Sequence, residues 1–221
     1  MRTYVSPIGY NSTSVVRPVL SRGLDSGDKI VLLRPSDDAD DQRAREAVED
    51  IRRLVTEIEP DVQLDVERIT HGEYSTAVLE CSDVIRNGTG KRIVNLGGGA
   101  RDVLVPLTTA ALAHVDLVST IVIFSDVDGS VRELDPPQLS ASVPGNVLTT
   151  LTAIGEYDGL VSIPTLTERL DRSKSSITRH VNQLADEGLV RTEKHGRTKV
   201  VQLTFAGELH LRTRNLDVNG H

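Results

Sequence analysis

Short apolar runs alternate with amphipathic helical patterns along the first 124 residues, and this alternation constrains the fold more than any other feature. The run Lys29–Leu33 is continuously apolar, which is typical of a strand covered on both faces, and Val118–Phe124 is another run of strand character. Between such runs, one helical pattern extends to about Glu59 and ends before Pro60. Strands separated by helices predict a mostly parallel sheet with right-handed β-α-β connections.

The pattern predicts five strands in the N-terminal part of the chain. The third strand alternates apolar and polar residues, so we expect it nearer the edge of the sheet. The predicted fold class is α/β, Rossmann-like in outline, with a parallel sheet. The predicted strands are Arg2–Ser6, Lys29–Leu33, Val62–Arg68, Ile93–Leu96 and Val118–Phe124.

Three glycines follow the fourth strand directly, within the segment Lys91–Val105, and a helical pattern with Arg101 in its first turn comes next. A strand, a glycine loop and a helix can form a phosphate cradle, because glycines let the backbone approach a ligand and the free N–H groups of the helix point toward an anion. Such a turn can equally be only a tight connection. Arg101 opposes the helix dipole, which disfavours a structural role and favours a bound anion.

The position of the glycines differs from that in a dinucleotide dehydrogenase. Such an enzyme carries G-x-G-x-x-G after its first strand, whereas the corresponding loop here holds only Gly9. In a doubly wound sheet, the first and fourth strands are neighbours where the strand order reverses. We therefore expect the Gly9 loop and the Gly97 loop to line one crevice, with Arg101 at its mouth.

A stretch rich in proline and serine, from Asp135 to Gly145, separates two parts with different charge. Residues 1–140 hold 15 Lys+Arg and 23 Asp+Glu, whereas residues 141–221 hold 10 and 9. Different electrostatics indicate different partners. We therefore expect two domains, over residues 1–135 and 146–221, joined by a linker over residues 136–145.

The second domain begins with three predicted helices, Val147–Ile154 with Asn146 as its N-cap, Ile163–Leu170, and Lys174–Glu187. Gly188 is expected to end the third helix as its C′ residue. Two stretches of strand character around a basic tip then predict a β-hairpin. This order of helices and hairpin is that of the winged helix-turn-helix, an α+β domain that binds duplex DNA.

Exposed residues of the third helix and of the hairpin have the chemistry that duplex binding requires. Small polar side chains and an arginine can reach base edges and phosphates in the major groove, and a basic hairpin can lie on the backbone. The small net charge of this part leaves open a winged helix used for protein contact or dimerisation. The candidate DNA-binding residues are Ser173, Lys174, Ser175, Ser176, Thr178, Arg179, Asn182, Lys194, His195, Arg197 and Lys199.

The order of the parts resembles the CRISPR-associated CARF–winged-helix transcription regulators. Gly98–Arg101 (GGAR) is similar to that family's second motif, and Ile8–Asn11 (IGYN) is more loosely similar to its first motif. Pro7 and Asn11 depart from the family pattern, which places a threonine before that loop and an acidic residue at its end. The resemblance covers essentially the whole chain.

The resemblance implies a homodimer of two CARF-type domains that binds a cyclic oligoadenylate, such as cyclic tetra-adenylate, across the two-fold axis. Bound ligand would change the affinity of the winged helices for double-stranded DNA and so regulate transcription of CRISPR-associated genes. The implied ligand-binding residues are Ile8, Gly9, Tyr10, Asn11, Gly97, Gly98, Gly99, Ala100 and Arg101.

Two alternatives remain open at this stage. The same site would act as a ring nuclease if it aligned a ribose 2′-hydroxyl with the neighbouring phosphate and Arg101 stabilised the developing charge. Neither loop holds a His or Lys for acid–base chemistry, which disfavours this reading. A winged-helix regulator whose sensor binds another nucleotide or anion is the second alternative.

The remaining features imply no cofactor, no metal site and no membrane partner. The single cysteine, Cys81, excludes an intramolecular disulfide and is expected in the core. His180 and His195 are expected to be exposed polar groups. No apolar run approaches the length of a membrane span, and the first residues lack a signal pattern, so we expect a cytoplasmic protein.

Overall fold

In the computed structural model, the chain divides into two compact units, Met1–Pro136 and Pro137–His221. The structure describes residues 1–36, 42–136, 141, 143–196 and 198–215, with the backbone alone at 214 and 215. The acidic run Asp37–Asp41, which the sequence favours as the start of the helix that ends near Glu59, lies outside these ranges.

The first unit is built on a six-stranded sheet with the order β3-β2-β1-β4-β5-β6. The first five strands are parallel, and β6 is antiparallel to β5 at the edge. The predicted α/β class is confirmed, and the third strand lies at the other edge as expected. The strands are β1 (Arg2–Pro7), β2 (Lys29–Pro35), β3 (Gln63–Ile69), β4 (Lys91–Asn95), β5 (Val118–Phe124) and β6 (Val131–Leu134).

The sequence did not predict the sixth strand. Its four residues, VREL, include two charged side chains, and none of the four is buried. A short, exposed edge strand needs no apolar pattern, because its stability comes from backbone pairing with β5. Its charged residues also protect the open edge of the sheet against pairing with another chain.

Two helices cover each face of the sheet. On one face, Leu32 of β2 lies in the same buried cluster as Ile51, and on the other face Leu33 lies in the same cluster as Leu107. Successive strand residues therefore enter opposite cores, which explains why β2 is apolar along its length. The helices are α1 (Thr13–Ser21), α2 (Gln42–Ile58), α3 (Tyr74–Asn87) and α4 (Arg101–Ala113).

The second unit has the predicted winged-helix order, with one additional short strand. Its sheet has the order β7-β9-β8 and is antiparallel. A single buried cluster includes Leu151, Leu166, Ile177 and Val201, so helices and sheet share one core. The elements are α5 (Gly145–Gly155), β7 (Val161–Ser162), α6 (Ile163–Leu170), α7 (Lys174–Asp186), β8 (Val190–His195), β9 (Thr198–Leu203) and α8 (Phe205–Asn215).

The predicted N-cap of α5, Asn146, is wrong. The helix begins at Gly145, two residues earlier than predicted, and Pro144 occupies the N-cap position with φ −58° and ψ 145°. The Pro144 carbonyl accepts the N–H groups of Val147 and Leu148 at 2.8 and 2.9 Å. Val143, within the stretch predicted as a linker, is buried in the core of the second unit.

Both ends of α7 are capped by residues that the sequence singled out. The Ser173 hydroxyl accepts the N–H of Ser176 at 3.2 Å, which satisfies one of the free donors at the start of the helix. At the other end, Gly188 has φ +68°. The N–H of Gly188 reaches the Ala185 carbonyl at 3.0 Å, and the N–H of Leu189 reaches that of Leu184 at 2.9 Å. This is a Schellman motif, and the prediction for Gly188 is confirmed.

The expectation that His180 is exposed is wrong. Its side chain is buried, on the same stripe of α7 as Ile177 and Leu184. The His180 Nδ1 and the Thr150 Oγ1 form a hydrogen bond of 2.8 Å, which joins α7 to α5. Burial, followed by the positive charges of Arg172 and Arg179, lowers the pKa of the imidazole below its ordinary value of 6.5.

We expect acid to destabilise the winged helix through His180. As the pH falls below about 6.5, the His180 imidazole of the unfolded chain takes up a proton, whereas the buried imidazole of the folded chain stays neutral to lower pH. The contribution of neutral His180 to the free energy of unfolding is therefore present above this pH and is lost below it. His180→Asn keeps a polar atom near Thr150 and should reduce the loss. The measurement is urea unfolding of the full chain at about pH 7.5 and about pH 5.5, followed by hydrogen exchange in α5 and α7 peptides. His195→Asn, in the exposed hairpin, is the control, and an undiminished pH dependence in His180→Asn would contradict the assignment.

Candidate ligand crevice and nucleic-acid interface

The loops after β1 and β4 meet at the carboxyl edge of the sheet. The two strands are hydrogen-bonded neighbours, with Tyr4 opposite Ile93, so the loops that follow them emerge side by side. A Cβ atom on Gly9 would lie 3.5 Å from the Gly99 Cα. The structure therefore brings together the two loops that the sequence indicated, at the point where strand order reverses.

The three glycines after β4 are required by this close packing. A Cβ on Gly97 would lie 2.8 Å from the Phe124 backbone nitrogen, and one on Gly99 would lie 2.6 Å from the Pro7 Cβ. At Gly98, it would overlap the Ser14 hydroxyl. Gly98 and Gly99 also have φ of +83° and +79°, a region that other residues rarely adopt. The glycine run thus has a structural reason that is independent of any ligand.

Asn95, the last residue of β4, holds the two loops and the first helix in register. Its side-chain Nδ2 donates to the Ser6 Oγ at 2.8 Å and to the Ser14 carbonyl at 2.9 Å, and its Oδ1 accepts the Gly97 N–H at 3.0 Å. The residue is only 4% exposed, so these bonds replace those that water would otherwise supply. The sequence analysis did not single out Asn95. The available signal was a polar residue at the end of an apolar strand.

Arg101 is the first residue of α4, and its side chain is exposed at the start of the helix. The N-cap residue, Ala100, makes no side-chain hydrogen bond to the first turn. Across the part of the chain that the structure describes, the Arg101 guanidinium has neither a hydrogen bond nor an ion pair. Asp102 shares the first turn and complements the helix dipole. A cation without a protein partner and a helix start without a side-chain cap together suit an anion.

The residues after β1 have different surroundings. Ile8 is 1% exposed, and its N–H donates to the Leu33 carbonyl at 3.1 Å, so this side chain belongs to the core. The Asn11 Oδ1 accepts the Thr13 N–H at 2.9 Å, at the start of α1. Tyr10 is 65% exposed. Of these predicted ligand residues, Tyr10 and Asn11 are exposed and Gly9 is half-buried, so these three, unlike Ile8, can contact a ligand directly.

A second arginine near the glycine loop was not predicted. The guanidinium of Arg17, on α1, lies 6.0 Å from the centre of the Phe124 ring, and its Nη1 donates to the Gly129 carbonyl at 2.9 Å. Phe124 in turn packs against Gly97. The local sequence carries no signal for Arg17, because its position depends on how α1 packs across β5.

The exposed side of α7 borders a shallow region of about 830 Å³ that is wide open to solvent and is called the groove below. Five of the predicted DNA-binding residues line it, together with Gln183 and Asp186, which the sequence analysis did not include. The five predicted residues in the groove are Lys174, Ser175, Thr178, Arg179 and Asn182.

The other predicted DNA-binding residues have varied positions. Ser173 and Ser176 form the cap at the start of α7, and Lys194 and His195 are exposed in the hairpin. The Lys199 ammonium, on β9, donates to the Asn182 Oδ1 at 2.7 Å. Arg197 lies outside the described residues.

Residues 2–133, more than half of the chain, match the family model described as the Csa3 CRISPR-associated Rossmann-like domain. The chain belongs to this family. Residues 141–199 match the MarR family. The resemblance to CARF–winged-helix regulators is thereby confirmed at the level of family and domain type. This combination of domains suggests a ligand-sensing DNA-binding regulator in CRISPR systems.

Solved structures of three similar proteins illustrate the two units. A MarR protein from Peptoclostridium difficile is 22% identical over 34% of this chain and 52% of its own, with a TM-score of 0.29. Can2 from Sulfobacillus thermosulfidooxidans, in complex with cyclic tetra-adenylate, is 14% identical over 96% and 57%, with a TM-score of 0.44. Enterococcus italicus Csm6, bound to cyclic hexa-2′-fluoro-hexa-dAMP, is 12% identical over 85% and 49%, with a TM-score of 0.48.

The chain thus spans about half the length of these similar proteins. No curated protein matches the chain. Among the helices that the structure describes, none has the length and apolar character required to cross a membrane.

We expect Gly99→Ala to destabilise the first unit by roughly 2–5 kcal/mol, because a positive φ costs a non-glycine residue about 1–2 kcal/mol and overlap with Pro7 adds about 1–3 kcal/mol. The matched control is Gly27→Ala. Gly27 has a similar φ of +80° but nothing within 4 Å of the added Cβ. Its cost should be the backbone part alone, about 1–2 kcal/mol. Free energies of unfolding in urea provide the comparison, and equal costs for the two variants would show that the loops are less closely packed than described.

Proposed function

We propose that this protein is a homodimeric, ligand-responsive DNA-binding transcription regulator of CRISPR-associated genes, and that it senses a cyclic oligoadenylate such as cyclic tetra-adenylate. The observation that carries the proposal is the contact between the loop after β1, which holds Gly9, and the glycine loop after β4. Arg101 lies beside this contact and has no protein partner in the described structure. Membership of a CRISPR-associated family supports the biological context, and the MarR-family match supports DNA as the partner of the second unit.

The ligand half of the proposal follows from the chemistry of the crevice. A phosphodiester carries a negative charge and acceptor oxygens, which suit the guanidinium of Arg101 and the backbone N–H groups at the start of α4. Tyr10 is exposed in the adjacent loop and offers an aromatic face for a base. Gly97–Arg101 would then bind phosphate, and Gly9–Asn11 would close over the base or ribose.

A dimer matches the symmetry of such a ligand. A cyclic tetranucleotide presents the same phosphates in two opposed directions, so two copies of one crevice can bind it across a two-fold axis. One crevice alone would contact only part of the ring. The ligand would change DNA affinity if it bound more tightly to one arrangement of the dimer than to another, which is the requirement for allosteric coupling.

The DNA half of the proposal depends on α7. Its exposed side carries Lys174 and Arg179 among small polar residues, and the hairpin adds further basic groups. A helix of this kind fits the major groove, where its side chains reach base edges, while the hairpin lies along the phosphates. Acidic Asp186 lies at the far end of the groove and limits the positive surface to the first turns of α7.

Arg101→Ala should weaken binding of cyclic tetra-adenylate by about 10- to 100-fold, because it removes charge-assisted hydrogen bonds to phosphate. Calorimetry with cyclic tetra-adenylate and a panel of other nucleotides measures the effect. Arg86→Ala is the matched control. Arg86 is also exposed, but it lies in the last turn of α3 and forms an ion pair with Asp83 at 3.6 Å. Unchanged affinity in Arg101→Ala would exclude this site. If another nucleotide bound and cyclic oligoadenylates gave no heat, cyclic oligoadenylates would be excluded as the ligand.

Arg179→Ala should lower the affinity for duplex DNA by about tenfold or more and leave ligand affinity unchanged. The comparison is Arg169→Ala, because Arg169 is exposed in the same unit but forms an ion pair with Glu156. Fluorescence anisotropy with duplexes selected from a random library, titrated at several salt concentrations, measures both affinity and the number of phosphate contacts. DNA affinity that depends on Arg169 and not on Arg179 would show that another surface binds DNA.

A further inference from the structure

The contact between Lys199 and Asn182 joins the hairpin to the proposed recognition helix. The Lys199 ammonium, on β9, lies 2.7 Å from the side-chain oxygen of Asn182, on α7. Asn182 is exposed and lines the same groove as Thr178 and Arg179. The spacing of three and four residues puts these side chains on one face of the helix. Asn182 therefore contacts the hairpin while it faces the groove that would hold DNA.

The chemistry of lysine fixes the orientation of the Asn182 amide. An ammonium group has three donors and no acceptor, so the atom that it contacts must be the amide oxygen and not the nitrogen. The amide nitrogen, with its two donors, is then the atom left to face a partner in the groove. Although an amide oxygen has a second lone pair, another donor there would lie beside the positive charge of Lys199 and be repelled by it.

This orientation changes which bases Asn182 can recognise. An asparagine whose two amide atoms are both available pairs with adenine, accepting from N6 and donating to N7. Because the amide oxygen of Asn182 accepts a hydrogen bond from Lys199, only the two N–H donors of the amide remain for a base. Guanine presents two acceptors, O6 and N7, in the major groove, so an amide that only donates favours guanine over adenine.

We propose that Lys199 is a specificity-determining residue, which acts by restricting Asn182 to the role of a hydrogen-bond donor and so selects guanine against adenine at one position of the binding site. This inference rests on the proposed DNA binding by the second unit. Lys199 is a positioning residue in this scheme, and Asn182 is the residue that contacts the base. The ordinary pairing of asparagine with adenine is suppressed by a contact within the protein.

The experiment is selection of binding sites from a library of random duplexes with the full-length protein and its variants. Asn182→Ala identifies the position, because the preference there should disappear. Lys199→Met frees the amide oxygen, so the ratio of guanine to adenine at that position should fall by about tenfold. Lys199→Arg retains a side chain with donors only and should keep the guanine preference.

Lys194→Met is the matched control. Lys194 lies directly opposite Lys199 in the hairpin and carries the same charge, but its side chain is exposed and makes no hydrogen bond to α7 within the described residues. Its loss should weaken binding to all sequences alike, without a change in base preference. The thermal unfolding of each variant verifies that it is folded.

The outcomes separate this inference from the function on which it rests. Adenine at the Asn182 position in the wild-type protein would overturn the inference, as would an unchanged base preference in Lys199→Met or a preference that survives in Asn182→Ala. In each of these cases DNA binding itself would stand. Failure of the wild-type protein to enrich any duplex would overturn both the DNA-binding function and the inference.

Discussion

The arrangement of the first unit at its carboxyl edge depends on the buried side chain of Asn95. One amide joins β1 through Ser6, α1 through the Ser14 carbonyl, and the glycine loop through the Gly97 N–H. Loss of this amide would remove the hydrogen bonds that it makes to the Ser14 carbonyl and the Gly97 N–H, each at a cost of about 1–3 kcal/mol. The glycines after β4 lack a Cβ, so the loops after β1 and β4 can pack as closely as the hydrogen bonds of Asn95 require. The positions of the loops after β1 and β4 are thus fixed by the buried hydrogen bonds of Asn95, which a ligand would not touch.

In the second unit, interactions within the protein likewise fix the position of α7. A serine cap and a Schellman motif fix the two ends of α7, while the buried bond between His180 and Thr150 fixes its rotation against α5. On its exposed side, the contact from Lys199 orients Asn182. A recognition element that is ordered before it meets DNA loses less conformational entropy on binding. Under the proposed function, the rigidity of α7 would contribute to both affinity and base selection.

The sequence predicted the features that burial imposes, including the five parallel strands, the winged-helix order and Gly188 at the end of α7. It missed β6 because an exposed edge strand needs no apolar pattern. His180 was misjudged because a buried histidine depends on a partner thirty residues away, Thr150, that the local pattern does not reveal. The adjacency of the two loops was predictable from topology, whereas Asn95 and Arg17 were not, because their contacts depend on how separate elements pack.

The glycine loop also has a consequence for comparing this chain with its relatives. Gly97, Gly98 and Gly99 are each required by contacts within the protein itself. A descendant that no longer sensed a ligand would retain these glycines for as long as it kept the fold. Arg101 makes no such contact within the described structure, so nothing in the packing would preserve it. Across an evolutionary lineage, the glycines would therefore record the persistence of the fold, and under the proposed function the residue at position 101 would record whether a ligand is still sensed.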